Sequence, residues 1–318
     1  MEQLNQTKVA FFIIKGISDA PKLQVPIFLL VLLIYLMSLG GNITILLLVC
    51  LDHHLHNPMY FFLANLSIID ICSATVTLHT MLLNGITGSR TISYVRCIAQ
   101  IYFFGWFTSE EMLFLTAMSY DRYVAICNPL RYKMIINQRV CTMLATVCWV
   151  LGFLEIIPYA VLVTGFTCYK SNIVNHFFCD LVPVIKLSCS DTSVLEILFI
   201  VEGAVIMALG PLSLTVTSYI FIITTILKIR SSNGRWKAFY TCSSHLTVVI
   251  VLYTTLIYQY LKPISPESLE YNKLLSLFNS GAVPILNPLI YSLKNKDVKA
   301  AFRRKVYSLI DKVKGEVR

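Results

Sequence analysis

Asp70 and Glu111 are two of the carboxylates that occur inside long apolar stretches of the sequence. Asp70 lies 12 residues after the start of one stretch at Pro58, and Glu111 lies near the middle of another, 98–126. An ionisable group at the centre of a membrane costs about 2.5 kcal/mol or more, so each side chain should face a partner inside the protein. Two carboxylates in one buried pocket need a shared proton or a cation, and oxygen ligands suit hard cations. We expect either a sodium site or a carboxyl–carboxylate pair that fixes helix packing.

Seven apolar stretches must position these side chains. A helix rises about 1.5 Å per residue, so about 20 apolar residues cross a hydrocarbon core about 30 Å thick. The stretches that reach this length are 25–51, 58–83, 98–126, 140–163, 194–227, 238–261 and 274–293. They lack the polar–apolar alternation of a membrane-spanning strand, and 56% of all residues are apolar while only 14% are charged. The sequence predicts an all-α membrane protein, a bundle of seven transmembrane helices.

The positively charged residues predict which way this bundle faces. Of the 26 Lys and Arg residues, 17 fall on the side that contains the C-terminus. Positive charge concentrates on the cytoplasmic side of membrane proteins. We therefore expect an extracellular N-terminus (1–24), a seven-helix domain (25–293) and a cytoplasmic tail (294–318). Asn5 begins an Asn-Gln-Thr glycosylation sequence on the predicted external side.

The predicted cytoplasmic tail begins with an amphipathic pattern. Val298, Phe302 and Val306 recur at every fourth position, with Lys and Arg between them. A helix with this pattern lies in the plane of an anionic membrane surface. We expect a short eighth helix on the inner leaflet, with membrane lipids as partners.

The cysteines divide according to the predicted topology. Of the ten, four lie at or beyond the external face: Cys97, Cys168, Cys179 and Cys189. Disulfides persist in oxidising compartments, so these four are expected to form two of them. Four cysteines allow three pairings, and the residues alone do not choose among these.

Several classes of protein are excluded by what the sequence lacks. The net charge of +9 comes without a basic cluster beside an aromatic platform, so no nucleic-acid partner is expected. The phosphate-binding, dinucleotide-binding, zinc-protease and nucleophile-elbow motifs do not occur. No connection exceeds about 30 residues, which leaves no room for a separate catalytic domain. The sequence predicts that the protein is not an enzyme and has no cofactor other than the sodium ion considered above.

Four segments together resemble a known family. They are LHNPMYFFLANLSIIDIC (55–72), MSYDRYVAIC (118–127), KAFYTCSSHL (237–246) and PILNPLIYSLKNKDVK (284–299). In order and spacing they are similar to the signatures of vertebrate olfactory receptors, within the rhodopsin-like G-protein-coupled receptors. The resemblance covers the chain from Asn42 to Lys299.

The resemblance implies roles for particular residues. It implies that Asp121, Arg122 and Tyr123 form the ionic-lock triplet, with Arg122 paired to Asp121 at rest and turned to the G protein on activation. It also implies that Asn287, Pro288 and Tyr291 form the hinge of the seventh helix, with Tyr219 as the partner of Tyr291. Among the three cysteine pairings, it selects Cys97 with Cys179 and Cys168 with Cys189.

The resemblance further implies a ligand pocket in the outer half of the bundle. The residues expected to line it are Phe104, Gly105, Thr108, Tyr159, Gly203, Met207, Tyr253, Leu256, Tyr260, Leu277 and Ser280. They are apolar with a few hydroxyl groups, which suits a small, poorly water-soluble molecule. A carboxylate ligand would lack a counter-ion there. Because Phe104 stands where amine receptors carry aspartate, a cationic amine is disfavoured too, unless Glu155 or Glu202 faces inward.

The function implied by the resemblance is that of an odorant receptor of the plasma membrane. It would bind small, mostly apolar odorants and activate a stimulatory G protein of the olfactory type, which raises cyclic AMP. One alternative is a rhodopsin-like receptor for a non-odorant metabolite. Another is an odorant-gated cation channel, whose N-terminus would lie in the cytosol, so mapping glycosylation at Asn5 distinguishes it.

Overall fold

The chain is mostly helical, and a computed structural model describes residues 9–18, 20–261, 266–294 and 296–316. Its long helical segments are numbered in chain order. The first is Pro21–Leu51, the second Pro58–Thr87, the third Tyr94–Cys127 and the sixth Ser232–Leu261. The fourth comprises Gln138–Glu155 and Ile157–Thr164, the fifth Ser193–Leu198, Phe199–Leu209 and Gly210–Leu227, and the seventh Pro266–Leu277, Phe278–Ala282 and Val283–Lys294. A C-terminal helix follows at Lys296–Glu316.

The connections contain short elements. Short helical turns occur at His53–Leu55, Pro129–Arg131, Tyr132–Ile135 and Leu181–Leu187, and the strands are β1 (Phe11–Ile14), β2 (Thr91–Ser93) and β3 (Ile173–Val174). The strand β1 pairs antiparallel with β2 and parallel with β3. The side chain of Phe12 is fully buried beneath this sheet and contacts the rings of Tyr94 and Tyr169. The sheet therefore covers one end of the bundle.

Five helices in the described residues are long and apolar enough to cross a membrane. They are Pro21–Leu51, Pro58–Thr87, Gln138–Thr164, Ser193–Leu227 and Ser232–Gln259. The third helix carries the carboxylates Glu110 and Glu111 in its middle, and the seventh is divided into three parts. Each of the seven stretches predicted from the sequence lies within one of the seven long helical segments.

Side chains at the helix ends explain several of the boundaries. The side chain of Asn57 accepts a hydrogen bond from the backbone N–H of Tyr60 and caps the second helix, which begins with Pro58. That helix ends at Gly88, whose φ of 68° is a left-handed conformation that glycine adopts without strain. Ser93 caps the third helix in the same way as Asn57 caps the second. Asn57 and Ser93 therefore fix where the second and third helices begin, and Gly88 fixes where the second ends.

The third helix is the centre of the bundle. It packs against the second, fourth, fifth and sixth helices. The first helix packs against the second and seventh, and the side-chain amide of Asn42 donates a hydrogen bond to the carbonyl of Pro284 over 2.8 Å. The indole of Trp149 in the fourth helix donates to Asn65 in the second over 3.0 Å. Polar bonds of this kind hold helices together where lipid supplies no hydrophobic driving force.

Two helices contain wider turns. Phe199–Leu209 in the fifth helix and Phe278–Ala282 in the seventh are π-helical. Such turns insert extra residues into an α-helix and are frequent at functional sites. The first of them borders the cavity described next.

Candidate functional site

A cavity of about 130 Å³ lies between the third, fourth, fifth and sixth helices. Its lining is Ile101, Phe104, Gly105, Thr108, Ser109, Met112, Glu155, Ile156, Tyr159, Asp180, Leu181, Phe199, Gly203, Met207, Ala208, Leu209, Leu212, Tyr253, Leu256 and Ile257. An engineered apolar cavity of about 150 Å³ in another protein binds benzene. The cavity here therefore suits a small molecule of similar size.

The third helix supplies one wall of the cavity through a single face. Ile101, Phe104, Thr108 and Met112 follow one another at intervals of three or four residues, which places them on one side of a helix. Gly105 lies against the side chain of Ile156 in the fourth helix. Because a larger residue at position 105 would collide with Ile156, the glycine lets the third and fourth helices approach closely beside the cavity.

Eight of the eleven residues predicted to line the pocket do line this cavity: Phe104, Gly105, Thr108, Tyr159, Gly203, Met207, Tyr253 and Leu256. The structure places Leu277 and Ser280 elsewhere. Leu277 packs with a cluster that contains Val31 of the first helix, and Ser280 is buried. The reason is that this part of the seventh helix contacts the first and second helices. The side chain of Tyr260 lies outside the described residues.

The sequence analysis did not predict Ser109 and Asp180 as lining residues, and it named Glu155 only as a condition for the binding of an amine. Ser109 follows Thr108 in the third helix, Glu155 ends the first part of the fourth helix, and Asp180 follows Cys179. The helical spacing of Phe104 and Thr108, which the resemblance implied, is a signal for Ile101 and Met112 as well. No local pattern signals Asp180, because a disulfide and loop packing position it.

Two disulfides hold the loop that contains Asp180. The structure joins Cys97 to Cys179 and Cys168 to Cys189, with Cα–Cα distances of 5.3 and 5.4 Å. We call the end of the bundle that carries both disulfides and the sheet β1–β3 the disulfide end. The amide of Gln100 in the third helix further fixes the loop, since its oxygen accepts a hydrogen bond from the backbone N–H of Cys179 over 2.8 Å.

Asp180 itself is buried, with 5% of its surface exposed. One of its oxygens, Oδ1, accepts a hydrogen bond from the backbone N–H of Leu181 over 2.7 Å and caps the short helix Leu181–Leu187. Burial raises the pKa of this carboxyl to about 6, because leaving water penalises the charged form, although the bond from Leu181 opposes the shift.

The carboxylates Asp70 and Glu111 come together deeper in the bundle. The side-chain amide of Asn287 donates to both oxygens of Asp70, over 3.1 and 3.0 Å, and lies 3.5 Å from Oε1 of Glu111. Asp70 and Asn287 are each 1% exposed. The second, third and seventh helices thus meet in one buried polar cluster. The described residues hold no group of three or more His, Cys, Asp or Glu side chains that could bind a metal.

Glu110, the neighbour of Glu111, points to the fourth helix. Its Oε1 accepts a hydrogen bond from the indole N–H of Trp106 over 2.9 Å and lies beside Gly152. The sequence predicts this separation, because consecutive residues of a helix point about 100° apart.

Comparison with known proteins identifies the family. A profile described as olfactory receptor matches residues 31–309. The chain is 44% identical over 309 residues to human olfactory receptor 5G3, covering 96% of this chain and 97% of that one. It is also 44% identical to mouse olfactory receptor 5G9 and 43% identical to human olfactory receptor 6C3, over 96% of this chain and 97% and 98% of theirs. The chain belongs to the olfactory receptor family.

Family membership confirms the resemblance inferred from the four sequence segments. As an olfactory receptor, the chain is a multi-pass membrane protein and a receptor, not an enzyme. Odorant binding and G-protein coupling are general properties of this family. The glycosylation sequence at Asn5 lies outside the described residues.

At the end opposite the disulfide end, Arg122 and Asp121 lie close together. Nη2 of Arg122 lies 3.6 Å from Oδ2 of Asp121. The hydroxyl of Tyr132, in the short helix after the third helix, donates to the other carboxylate oxygen over 2.7 Å. Asp121 therefore contacts both Arg122 and the short helix Tyr132–Ile135 that follows the third helix. The ring of Tyr123 packs against Phe221 of the fifth helix.

The receptor's Tyr219 bonds to a residue that the sequence analysis did not single out. Its hydroxyl lies 2.8 Å from Nδ1 of His245 in the sixth helix and 3.2 Å from the carbonyl of Cys242. Nε2 of His245 lies 2.9 Å from the carbonyl of Leu115 in the third helix. A carbonyl can only accept, so Nε2 carries the proton. The expected partner Tyr291 has its side chain outside the described residues. One sequence feature could have indicated His245: it is a histidine within the otherwise membrane-compatible segment 237–246.

Proposed function

We propose that this olfactory receptor binds a small, mostly apolar odorant in the cavity of the helix bundle and activates a stimulatory G protein of the olfactory type, which raises cyclic AMP. The observation that carries the proposal is the cavity itself, because its volume, apolar walls and few hydroxyl groups suit a small volatile molecule. Burial of apolar surface contributes about 25 cal/mol per Å². A small ligand therefore gains most of its affinity from leaving water.

The proposed topology has seven spans, the disulfide end outside the cell and the C-terminal helix inside, at the plasma membrane. The disulfides support it, since they persist in an oxidising compartment. The distribution of Lys and Arg supports the same orientation. In the C-terminal helix, Val298 is buried while Phe302 and Val306 are exposed among basic residues, as expected of a helix that contacts anionic lipids. Arg304 binds this helix to Asp52 over 2.7 Å.

The sixth helix can carry the signal from the cavity to the opposite end. Tyr253 and Leu256 line the cavity, and His245 lies about two turns away in the same helix. A ligand shifts the balance between two arrangements only by its different affinity for them. A ligand that moves the sixth helix at Tyr253 acts on the bonds of His245 to Tyr219 and Leu115.

Measurement of cyclic AMP in cells tests this proposal. Cells that express the chain are exposed to a panel of odorants, and surface expression is measured in parallel. Arg122→Ala should abolish the response, because Arg122 is the residue expected to reach the G protein. Arg139→Ala removes an exposed arginine from the same end of the bundle and should leave the response intact. A response that survives Arg122→Ala unchanged contradicts the proposed coupling.

A further inference from the structure

The charged groups that line the cavity are all acidic. Glu155 of the fourth helix and Asp180 of the disulfide-bonded loop both line it, and the hydroxyl of Ser109 lies beside the Glu155 carboxyl. Among the described lining residues there is no Lys, Arg or His. Glu202, next to the lining residue Gly203, lies close enough to Glu155 and Tyr159 to act on both electrostatically. Any charge that the cavity presents to a ligand is therefore negative.

These carboxyl groups have unused hydrogen-bonding capacity. Oε2 of Glu155 and Oε2 of Glu202 are buried and accept no hydrogen bond. Asp180, 5% exposed, uses Oδ1 for the N–H of Leu181. No ion pair in the described part of the chain involves any of the three. An ionised carboxylate can accept about four hydrogen bonds, so each group has room for a donor.

A tyrosine hydroxyl group also lines the cavity. Tyr253 lines the cavity and is 3% exposed, and its hydroxyl lies beside the side chain of Thr116. Folded proteins bury polar groups almost always with a hydrogen-bond partner. The unpaired Oε2 of Glu155 in this cavity therefore indicates that a ligand completes its bonding.

The chemistry of these groups narrows the ligand class. A buried carboxylate is costly unless a proton or a cation compensates its charge. An alkylammonium group supplies a positive charge and up to three N–H donors, the charge-assisted bonds that a carboxylate accepts best. A carboxylate ligand would be repelled, and a hydrocarbon would leave the acidic groups unpaired.

We infer that this receptor recognises small organic amines, with the ammonium group bound at Glu155 and the hydrocarbon part packed against the apolar walls formed by the third, fifth and sixth helices. The inference rests on the proposed function and goes further by naming the ligand class. Glu155 faces the cavity, so the condition under which the sequence analysis allowed an amine is met. The cavity of about 130 Å³ is close in size to one that binds benzene, which limits the hydrocarbon part of the ligand to about six carbons.

Three ligands of matched size test the inference on the purified receptor: cyclohexylamine, cyclohexanol and methylcyclohexane. Binding is measured by the rise in Tm and by titration at neutral pH, where the amine is protonated. We expect cyclohexylamine to bind the unaltered chain at least tenfold more tightly than the other two. Glu155→Gln should remove this preference, because it keeps the shape of the side chain and removes the charge.

The matched control is Glu196→Gln. Glu196 lies in the fifth helix outside the cavity, where it is exposed and accepts a hydrogen bond from Thr192. This variant should keep the preference for the amine. If Glu155→Gln fails to fold, two other measurements test the inference. One is the three-ligand comparison on the unaltered chain, and the other is Glu202→Gln, which should weaken the preference for the amine.

Several outcomes overturn the inference. The inference is wrong if the amine binds no more tightly than cyclohexanol, or if the amine causes no rise in Tm at millimolar concentration. It is also wrong if Glu155→Gln leaves the preference for the amine intact. If cyclohexanol alone binds and raises cyclic AMP, the proposed function stands and the inference fails. If the amine binds through Glu155 and cyclic AMP does not rise, the inference stands and the proposed coupling fails.

Discussion

The hydroxyl of Tyr219 lies 2.8 Å from Nδ1 of His245, and this contact joins the fifth helix to the sixth at a buried position. The other ring nitrogen of His245 binds the carbonyl of Leu115, so one imidazole connects three helices. Both bonds must break or rearrange if the sixth helix moves away from the third. We therefore expect His245 to stabilise this arrangement of the end opposite the disulfide end.

We predict that His245→Phe raises ligand-independent signalling. The substitution removes both hydrogen bonds of the imidazole while keeping a ring of similar size. Each such bond contributes about 0.5–1.5 kcal/mol, so the balance between closed and open arrangements should shift about fivefold or more. Basal cyclic AMP at matched surface expression measures the change. The control is His79→Phe, which alters an exposed histidine of the second helix. Equal basal signalling in the two variants would contradict the prediction.

A second prediction concerns the polar cluster of Asp70, Glu111 and Asn287. Two carboxylates around one amide either share a proton or bind a cation. If sodium binds there, it should raise the Tm of the purified receptor, and Asp70→Asn and Glu111→Gln should each abolish that rise. Potassium at equal ionic strength is the control for screening. Identical melting in sodium and potassium would exclude the ion and leave the shared proton.

The sequence predicted the helices better than it predicted their ends. Apolar stretches of membrane-spanning length fix where helices form, because an unpaired backbone is too costly in lipid. They do not fix where helices extend beyond the lipid. The sixth helix begins at Ser232, six residues before the predicted start at Ala238, and the second continues to Thr87. Polar residues such as Ser232 and Asn84 continue a helix without adding to the apolar signal.

The residues that line the cavity were predictable where they belong to one helix. They were less predictable where several segments of the chain meet. Phe104 and Thr108 follow from the family resemblance, and their spacing places both on one face of the third helix. Leu277 packs with the cluster that contains Val31 of the first helix and does not line the cavity, and no local pattern reveals this contact between two helices. Asp180 depends on the bond between Cys97 and Cys179, a contact across 82 residues that no local pattern reveals.

The two disulfides should differ in their effect on stability. Cys97–Cys179 closes a loop with a sequence separation of 82 residues, and Cys168–Cys189 one of 21. The entropy that a cross-link removes from the unfolded chain grows with the logarithm of loop length, which gives about 1 kcal/mol in favour of the longer loop. Thermal unfolding of the purified receptor should show a larger loss of Tm for Cys97→Ser than for Cys168→Ser. Cys50→Ser, which removes a free exposed thiol, should leave Tm nearly unchanged.

The position of the ligand can be tested with a single methyl group. Gly203 lines the cavity, and a Cβ at this position would lie 3.3 Å from the hydroxyl of Tyr159. Gly203→Ala should therefore narrow the cavity, displace the tyrosine by a few tenths of an ångström and weaken the binding of an active ligand about tenfold, since core packing tolerates little added volume.

Gly210→Ala is the matched control for that substitution. It adds the same methyl group to the same helix, at a position where nothing lies within 4 Å of the new Cβ. Alanine favours a helix over glycine by about 1 kcal/mol, so this variant should fold at least as well as the unaltered chain and keep its ligand affinity. Dose–response curves of both variants at equal surface expression measure the difference. If Gly203→Ala and Gly210→Ala give the same dose–response curve, the ligand binds elsewhere, because only the first change alters the cavity.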